Sequence, residues 1–174
     1  MDLRAQRGFS LVELMVTLAI AALLVVLALP NYATWLADNQ VRNGAQSVAE
    51  GLRAAQAAAI SRNLNAQFVL GAGGWNVQTV DPPPQTLQTA TFNEGASRAT
   101  IVGVNAVGLG ATTVAFNSLG QVIPANTNLV QVDVTMPAST PSRLRILVGN
   151  GRTGVKLCDV NAPVTVPPDP KACP

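Results

Sequence analysis

The chain is organised around one stretch, Arg7-Gly8-Phe9-Ser10-Leu11-Val12-Glu13-Leu14, and the apolar run that continues from it to Leu29. Between Phe9 and Leu29 the polar residues are Ser10, Glu13 and Thr17. A helix rises about 1.5 Å per residue, so this run would form a helix of roughly 31 Å, about the thickness of one bilayer core. The run therefore predicts a membrane-spanning helix over residues 9–29.

Two features separate this run from a secretory signal peptide. A signal peptide has a small-residue cleavage site after its apolar region, whereas here Gly8 precedes the run and no such site follows Leu29. Glu13 places a carboxylate inside the run, where it costs at least a few kcal/mol unless it meets a partner. We therefore expect any cleavage to occur at Gly8, and we treat Glu13 as a functional residue.

The opening stretch resembles the class III signal of type IV prepilins and type II secretion pseudopilins. The resemblance implies that a membrane-embedded prepilin peptidase cuts after Gly8 and that the new N-terminus, Phe9, is N-methylated. Glu13 would be the glutamate at the fifth position of the mature chain, and Pro30 falls where pilins often carry a helix-kinking proline. The alternative is a plain single-pass anchor with an incidental glutamate.

The resemblance also gives Glu13 a physical role in assembly. Cleavage would leave an amino group on Phe9 that is protonated near neutral pH. In a bundle of such helices, the Glu13 carboxylate of one subunit can meet the Phe9 ammonium of its neighbour. A buried charge costs much less when it is paired, so Glu13 is expected to fix the register between subunits and to recruit the protein to a growing filament.

The chain is predicted to contain five segments. They are a leader (1–8), a membrane-spanning and filament-core helix (9–29), an amphipathic helix continuing into the globular domain (30–62), a β-rich domain (63–157) and a Pro-rich tail (158–174). Arg4 and Arg7 in the leader predict a cytoplasmic N-terminus. The protein would then be a single-pass protein of the bacterial inner membrane, with its globular domain in the periplasm until it enters a pilus or pseudopilus.

Beyond Pro30, which would kink or loosen the helix without ending it, apolar residues recur at spacings of three and four. They are Val41, Ala45, Val48, Leu52, Ala55 and Ala59. This pattern predicts an amphipathic helix that continues to about Ser61, and the alanine-rich end allows close approach to a sheet.

After Asn63 the pattern changes to short strands separated by Gly- and Pro-rich turns. The predicted strands are Gln67 to Leu70, Trp75 to Val80, Thr89 to Phe92, Thr100 to Val104, Thr113 to Phe116, Gln121 to Ile123, Leu129 to Met136, Leu144 to Val148 and Val155 to Cys158. We expect an α+β, pilin-like fold in which a long N-terminal helix, membrane-spanning in its first half and amphipathic in its second, packs on an antiparallel β-sheet domain.

The order of elements is similar to that of the GspH/FimT branch of minor pilins and pseudopilins. This resemblance implies a minor type IV pilin that enters a pilus or primes its assembly; the alternative is a minor pseudopilin of a type II secretion system. Its partners would be the prepilin peptidase, the inner membrane and other major and minor pilins or pseudopilins.

Cys158 and Cys173 are the two cysteines of the chain. Both would lie in the oxidising periplasm, so a disulfide is the preferred interpretation, with two unpaired thiols as the alternative. A metal or redox role fits the spacing less well.

Basic residues gather near the C-terminus: Arg143, Arg145, Arg152, Lys156 and Lys171. Some FimT-like minor pilins bind DNA through a basic C-terminal region with a Gly-Arg-x-Arg type motif, of which only Gly151-Arg152 matches here. A small phosphate-binding patch for double-stranded DNA is therefore one hypothesis. The alternative is a set of solvated charges that keep a sheet edge from aggregating.

Composition argues against an enzyme. The chain has no histidine, and its scattered acidic residues give neither a nucleophile with a base nor a metal-ligand spacing. We expect no cofactor and no metal. The balance of 11 basic against 9 acidic residues argues neither for nor against a nucleic-acid partner.

Overall fold

A computed structural model of the protein describes residues 9–93, 95–136, 143–149, 154–163, 169 and 171–173. Over these residues the chain forms one helix and then eight strands: α1 (Leu11–Arg62), β1 (Ala66–Gly71), β2 (Gly74–Thr79), β3 (Thr86–Thr91), β4 (Thr100–Val104), β5 (Thr113–Phe116), β6 (Gln131–Thr135), β7 (Leu144–Val148) and β8 (Val155–Asp159). The chain divides into two compact units between Leu36 and Ala37.

The predicted long helix is confirmed, although α1 begins at Leu11 rather than Phe9 and ends at Arg62 rather than Ser61. It continues through residue 30, so the proline does not end it. The kink predicted at Pro30 stays a prediction.

Asn63 ends the helix by adopting a left-handed backbone with φ of 51°. The amide of Asn63 donates to the Ile60 carbonyl at 3.3 Å, and the amide of Leu64 donates to the Ala59 carbonyl at 3.1 Å. This pair of bonds is the Schellman ending, in which a residue with positive φ satisfies the last helical carbonyls. Asparagine tolerates that conformation better than most residues, so it directs the chain from α1 into β1.

The predicted α+β fold, a long helix packed on an antiparallel β domain, is confirmed, and the strands divide into two antiparallel four-stranded sheets. The order of strands in the first sheet is β3-β2-β1-β5, and in the second sheet it is β4-β6-β7-β8. After β4 the chain returns to the first sheet for β5 and then crosses again to the second. Alternation of apolar and polar residues indicates that a segment is a strand, but it carries no information on which strands share a ladder.

One predicted strand is absent from the described fold. Within Gln121 to Ile123, Val122 makes an isolated antiparallel bridge with Phe116, and no strand is formed. Pro124 follows directly. Because proline lacks the amide that a ladder needs, the pairing does not extend.

The core of the second unit lies between α1 and both sheets. The α1 residues predicted to face the core are fully buried: Val41, Ala45, Val48, Leu52, Ala55 and Ala59. They join one cluster with the inward side chains of both sheets, including Phe68 and Val132. Polar contacts also tie the helix to the strands, since Trp75 Nε1 donates to Ser47 Oγ at 3.0 Å.

Two glycines of α1 show how closely the helix approaches the sheets. A Cβ at Gly51 would lie 2.6 Å from the Trp75 ring and 2.7 Å from the Phe68 ring, both in the first sheet. A Cβ at Gly44 would lie 3.4 Å from Ile101 and Val134 of the second sheet. Gly51 is therefore fixed by steric contact, whereas the space at Gly44 is tight but less restrictive.

This difference gives a test of the helix–sheet contact. Gly51→Ala is expected to destabilise the protein by about 1–2 kcal/mol, since overpacking of a core outweighs the helix propensity that alanine adds. The free energy of unfolding is measured by urea denaturation of the detergent-solubilised protein. Gly44→Ala is the matched control and should stay within about 1 kcal/mol of wild type. Equal stability of the Gly51 variant and wild type would show that the helix does not approach the sheet this closely.

Candidate assembly site

The site predicted for assembly begins one residue before α1, where Ser10 caps the helix. The backbone amide of Glu13 donates to Ser10 Oγ at 3.2 Å, and the amide of Leu14 donates to the Ser10 carbonyl at 3.2 Å. The first bond satisfies a donor that the first turn of a helix leaves unpaired, and the second is the first regular bond of the helix. The helix cap at Ser10 was not predicted above, although the spacing from Ser10 to Glu13 is the Ser-x-x-Glu signal of a helix start.

Glu13 lies at the third helical position, where a negative charge also interacts favourably with the positive end of the helix dipole. The cap uses the backbone amide of Glu13 and not its side chain. Within the described residues the Glu13 carboxylate makes no hydrogen bond. The side chain is exposed. It is thus available to a group from another molecule.

The surface around Glu13 is apolar and uncovered. Large apolar side chains of the first unit are exposed along its whole length: Leu11, Val12, Leu14, Met15, Val16, Leu18, Ile20, Leu23, Leu24, Val25, Val26, Leu27, Leu29, Tyr32, Trp35 and Leu36. In the described chain, α1 is the one helix long and apolar enough to cross a membrane. Such a surface is stable only in lipid or against other apolar helices.

Phe9, the residue predicted to become the new N-terminus, adjoins this surface. Phe9 is 83% exposed and precedes the helix. Gly8 lies outside the described residues. Cleavage between Gly8 and Phe9, methylation of Phe9 and pairing of Glu13 therefore stay predictions.

The predicted disulfide between Cys158 and Cys173 is present. It holds the tail against β8, where the amide of Asp159 donates to the Lys171 carbonyl at 2.7 Å and Asp159 forms a parallel bridge with Ala172. Cys158 is buried beneath this contact. The alternative of two unpaired thiols was wrong. The prolines at 167, 168 and 170 lie outside the described residues.

Among the described basic residues near the C-terminus, Arg145 is ion-paired, whereas Arg143, Lys156 and Lys171 are exposed. Arg145 in β7 faces Asp133 in β6, and its Nε and Nη2 donate to the two carboxylate oxygens at 2.7 and 3.2 Å. This two-pronged bond compensates the charge of Arg145 and fixes its side chain. Arg143 lies just before β7 and is exposed.

Of the exposed cations, Lys156 lies apart from Arg143 and Lys171, whose backbone carbonyls accept from Val160 and Asp159 at the other end of β8. Lys156 is exposed and pairs in the ladder with Leu147, whereas Lys171 lies beside Asp159 at the other end of the strand. Three strand positions separate these sites, which is about 10 Å. Lys171 also lines a cavity of about 260 Å³ together with Arg42. No sequence pattern links Arg42 to this region, because the fold alone brings α1 to the end of β8. Arg152 lies outside the described residues.

This geometry makes the DNA hypothesis testable. Arg145→Ala is expected to leave DNA affinity unchanged, since Asp133 already compensates that charge. Changing Arg143, Lys156 and Lys171 together to Ala should weaken DNA binding. The slope of log affinity against log salt concentration should become shallower by about 0.9 for each cation that contacted a phosphate. The measurement is a gel shift with the detergent-solubilised chain across a salt series. Absence of salt-sensitive binding at low salt would remove the hypothesis, and an equal effect of Arg145→Ala would show that the ion pair opens.

Comparison with known proteins agrees with this architecture. The model of the prokaryotic N-terminal methylation motif matches residues 3–29, and that of the type II transport protein GspH matches residues 44–153. A methylation-motif helix followed by this β-rich domain defines a pilin or pseudopilin, a structural and non-enzymatic class of protein. More specifically, the chain belongs to the family of the type II transport protein GspH.

Individual proteins resemble this chain only over part of its length or at low sequence identity. A fimbrial protein of Moraxella nonliquefaciens is 43% identical over 51 residues, which are 29% of this chain and 32% of that protein. The matched part thus spans about a third of that relative's length. The crystal structure of the type IV minor pilin FimU of Pseudomonas aeruginosa matches with a TM-score of 0.51 at 14% identity, over 68% of this chain and 88% of FimU.

The minor pseudopilin EpsH of the Vibrio cholerae type 2 secretion system matches equally well, with a TM-score of 0.51 at 15% identity. The match covers 71% of this chain and 99% of EpsH. At such low identities these two structures show the fold alone.

The findings confirm the predicted class: the protein is a minor pilin or pseudopilin of the GspH/FimT type. The methylation motif implies processing by a prepilin peptidase and assembly with other pilins or pseudopilins. The apolar helix fits membrane anchoring.

Proposed function

We propose that the protein is a minor subunit of a type IV pilus, cleaved between Gly8 and Phe9 and N-methylated at Phe9, that enters the filament or primes its assembly through α1. The observation that carries this proposal is the exposed apolar surface of α1 with the Glu13 carboxylate inside it. Similarity to the Moraxella fimbrial protein supports a pilus.

In this mechanism the Glu13 carboxylate pairs with the Phe9 ammonium of a neighbouring subunit. Each charge would be costly alone among apolar helices, and the pair is satisfied at one axial stagger only. The Ser10 cap contributes by holding the first turn rigid, so the position of Glu13 relative to Phe9 is fixed.

We propose further that the N-terminus starts in the cytoplasm and that the globular domain lies in the periplasm. Arg4 and Arg7 before the span favour this orientation. The Cys158–Cys173 disulfide supports it, since disulfides persist in oxidising compartments.

The alternative function is that of a minor pseudopilin in a type II secretion system. The family description and the likeness to EpsH favour it, and the TM-scores to EpsH and FimU are equal. Deletion of the gene separates the two functions: loss of surface pili with normal exoprotein secretion supports the pilus, and the reverse supports the secretion system.

DNA binding within the pilus is a secondary candidate. Exposed Arg143, Lys156 and Lys171 favour it, and the ion pair of Arg145 with Asp133 weighs against it. The salt-series experiment described above decides between them.

Processing is tested by changing the residue before the predicted cut. Gly8→Leu should leave an uncleaved precursor in the membrane, because the peptidase would have to accept a bulky side chain at the cleavage site. Immunoblotting and the intact mass of the extracted protein measure this. Gln6→Leu places the same leucine side chain two residues before Gly8 and should be cleaved normally. Normal cleavage of the Gly8 variant would refute the class III assignment.

Pairing is tested by removing the charge of Glu13 without its shape. Glu13→Gln keeps the cap, which uses the backbone amide, but it cannot form the ion pair. We expect normal cleavage and at least about a tenfold loss from sheared filaments, since losing even about 1.4 kcal/mol changes an equilibrium that much. Thr17→Val alters a polar residue one turn further along and should assemble normally. A Glu13→Gln variant present in filaments at the wild-type level would contradict the pairing.

A further inference from the structure

The exposed surface of the first unit continues past the apolar run of the sequence. The predicted span ends at Leu29, yet Tyr32, Trp35 and Leu36 are 60%, 60% and 41% exposed on the same continuous helix. From Leu11 to Leu36 the helix is about 38 Å long. This length exceeds the hydrocarbon core of a bilayer, about 30 Å, but fits within the roughly 40–45 Å that includes the head groups. The end of this surface therefore reaches the head-group region when the apolar run fills the hydrocarbon core.

Tyr32 and Trp35 form an aromatic pair at this end of the surface. Their ring centroids lie 5.8 Å apart, so both rings lie on one face of α1. Within the described chain neither the Tyr32 hydroxyl nor the Trp35 indole N–H makes a hydrogen bond. The other tryptophan differs in both respects, since Trp75 is 5% exposed and its Nε1 donates to Ser47 Oγ at 3.0 Å. The pair thus presents apolar rings and unused polar tips on the same surface.

The chemistry of the pair indicates what covers it. Hydrocarbon would cover the rings but leave the hydroxyl and the indole N–H unpaired, and water would satisfy these groups but leave the rings exposed. The head-group boundary of a bilayer supplies apolar contact and hydrogen-bond acceptors together, and tyrosine and tryptophan are enriched there. The neighbouring sequence suits this depth, since Asn31 and Thr34 are polar and the nearest charged residues are Glu13 and Asp38.

We propose that the Tyr32–Trp35 pair is a membrane anchor, which binds the lipid head-group boundary at the end of the span distant from the N-terminus and fixes how deeply α1 lies in the bilayer. In the proposed orientation this is the periplasmic boundary. The inference rests on the proposed function, since it describes the same subunit in the membrane before assembly.

The anchor also determines where Glu13 lies in the bilayer. Glu13 precedes Tyr32 by about 29 Å along the helix, which is close to the thickness of the hydrocarbon core. With Tyr32 at one boundary, the Glu13 carboxylate lies near the opposite boundary, where water reaches it. The membrane therefore tolerates this charge, and the Phe9 ammonium of a neighbour becomes necessary when the helix leaves the bilayer for the filament.

The depth of Trp35 is measured by fluorescence in lipid vesicles. The chain has two tryptophans, so Trp75→Phe leaves Trp35 as the single reporter in the full-length protein. This variant is reconstituted into phosphatidylcholine vesicles whose acyl chains carry bromine either near the head group or near the chain end. We expect Trp35 to lose more fluorescence with bromine near the head group, because it lies about 15 Å from the bilayer centre, half the hydrocarbon thickness.

Two results would overturn the inference. Stronger quenching by bromine near the chain end would place Trp35 inside the hydrocarbon, and no quenching by either lipid would show that water or protein covers the ring. The matched control is Leu23→Trp in a chain whose native tryptophans are both changed to Phe. Leu23 lies near the middle of the span, so this tryptophan should be quenched most by bromine near the chain end. If Trp75→Phe unfolds the β-rich domain, the difference between wild type and Trp35→Phe reports on Trp35 instead.

The anchoring role is tested with a reporter beside Glu13. Leu14→Trp is combined with Trp75→Phe and with Trp35→Tyr, which keeps an aromatic ring with a polar tip at position 35. Changing Tyr32 and Trp35 both to Leu instead extends the apolar run toward Leu36. The span should then shift along its axis and move the reporter away from the bilayer centre, so the reporter should be quenched less. Equal quenching in the two chains would overturn the role of the pair in fixing depth.

Failure of this inference is distinguishable from failure of the proposed function. Trp35 that is quenched most by bromine near the chain end, in a protein that is still recovered from filaments, contradicts only the anchor. Wild-type protein that is absent from filaments contradicts the proposed function, whatever the depth of Trp35 in vesicles.

Discussion

The constraint on which the protein depends is the exposed apolar surface of the first half of α1. Water opposes this exposure, and no other described part of the chain covers these side chains. Glu13 adds a second requirement, since its carboxylate sits on that surface near the helix start and needs a partner once the surface is buried. Lipid can satisfy the apolar residues. A neighbouring subunit that brings a positive charge satisfies both requirements, which is why the physics of this segment already indicates assembly.

The β-rich domain buries the apolar face of the second half of α1. Gly51 lets the helix lie directly on the Phe68 and Trp75 rings of the first sheet, and Gly44 faces the second sheet. One helix can cover both sheets because small residues alternate with larger ones along its buried face. The outer edge of β5 bonds to the segment around Val122, and single bridges meet one end of β4 and one end of β8.

Local signals in the sequence predicted the elements well. Apolar residues at helical spacing located α1, alternating residues located most strands, and two cysteines in an expected oxidising compartment indicated the disulfide. Features that depend on long-range pairing were not predictable. The division into two sheets and the ion pair between Asp133 and Arg145 each require knowing which strands are neighbours. The predicted DNA patch shows this limit most clearly. A count of cations in the sequence does not show that Arg145 already has a partner in Asp133.

The most direct test of the account is the intact mass of this protein recovered from purified surface filaments of the bacterium that carries it. The account predicts a chain that lacks residues 1–8, begins at Phe9, carries one additional methyl group and retains the Cys158–Cys173 disulfide. A filament-associated protein with the mass of the uncleaved chain would contradict the proposed processing. Absence of the protein from filaments would contradict its assignment as a pilus subunit.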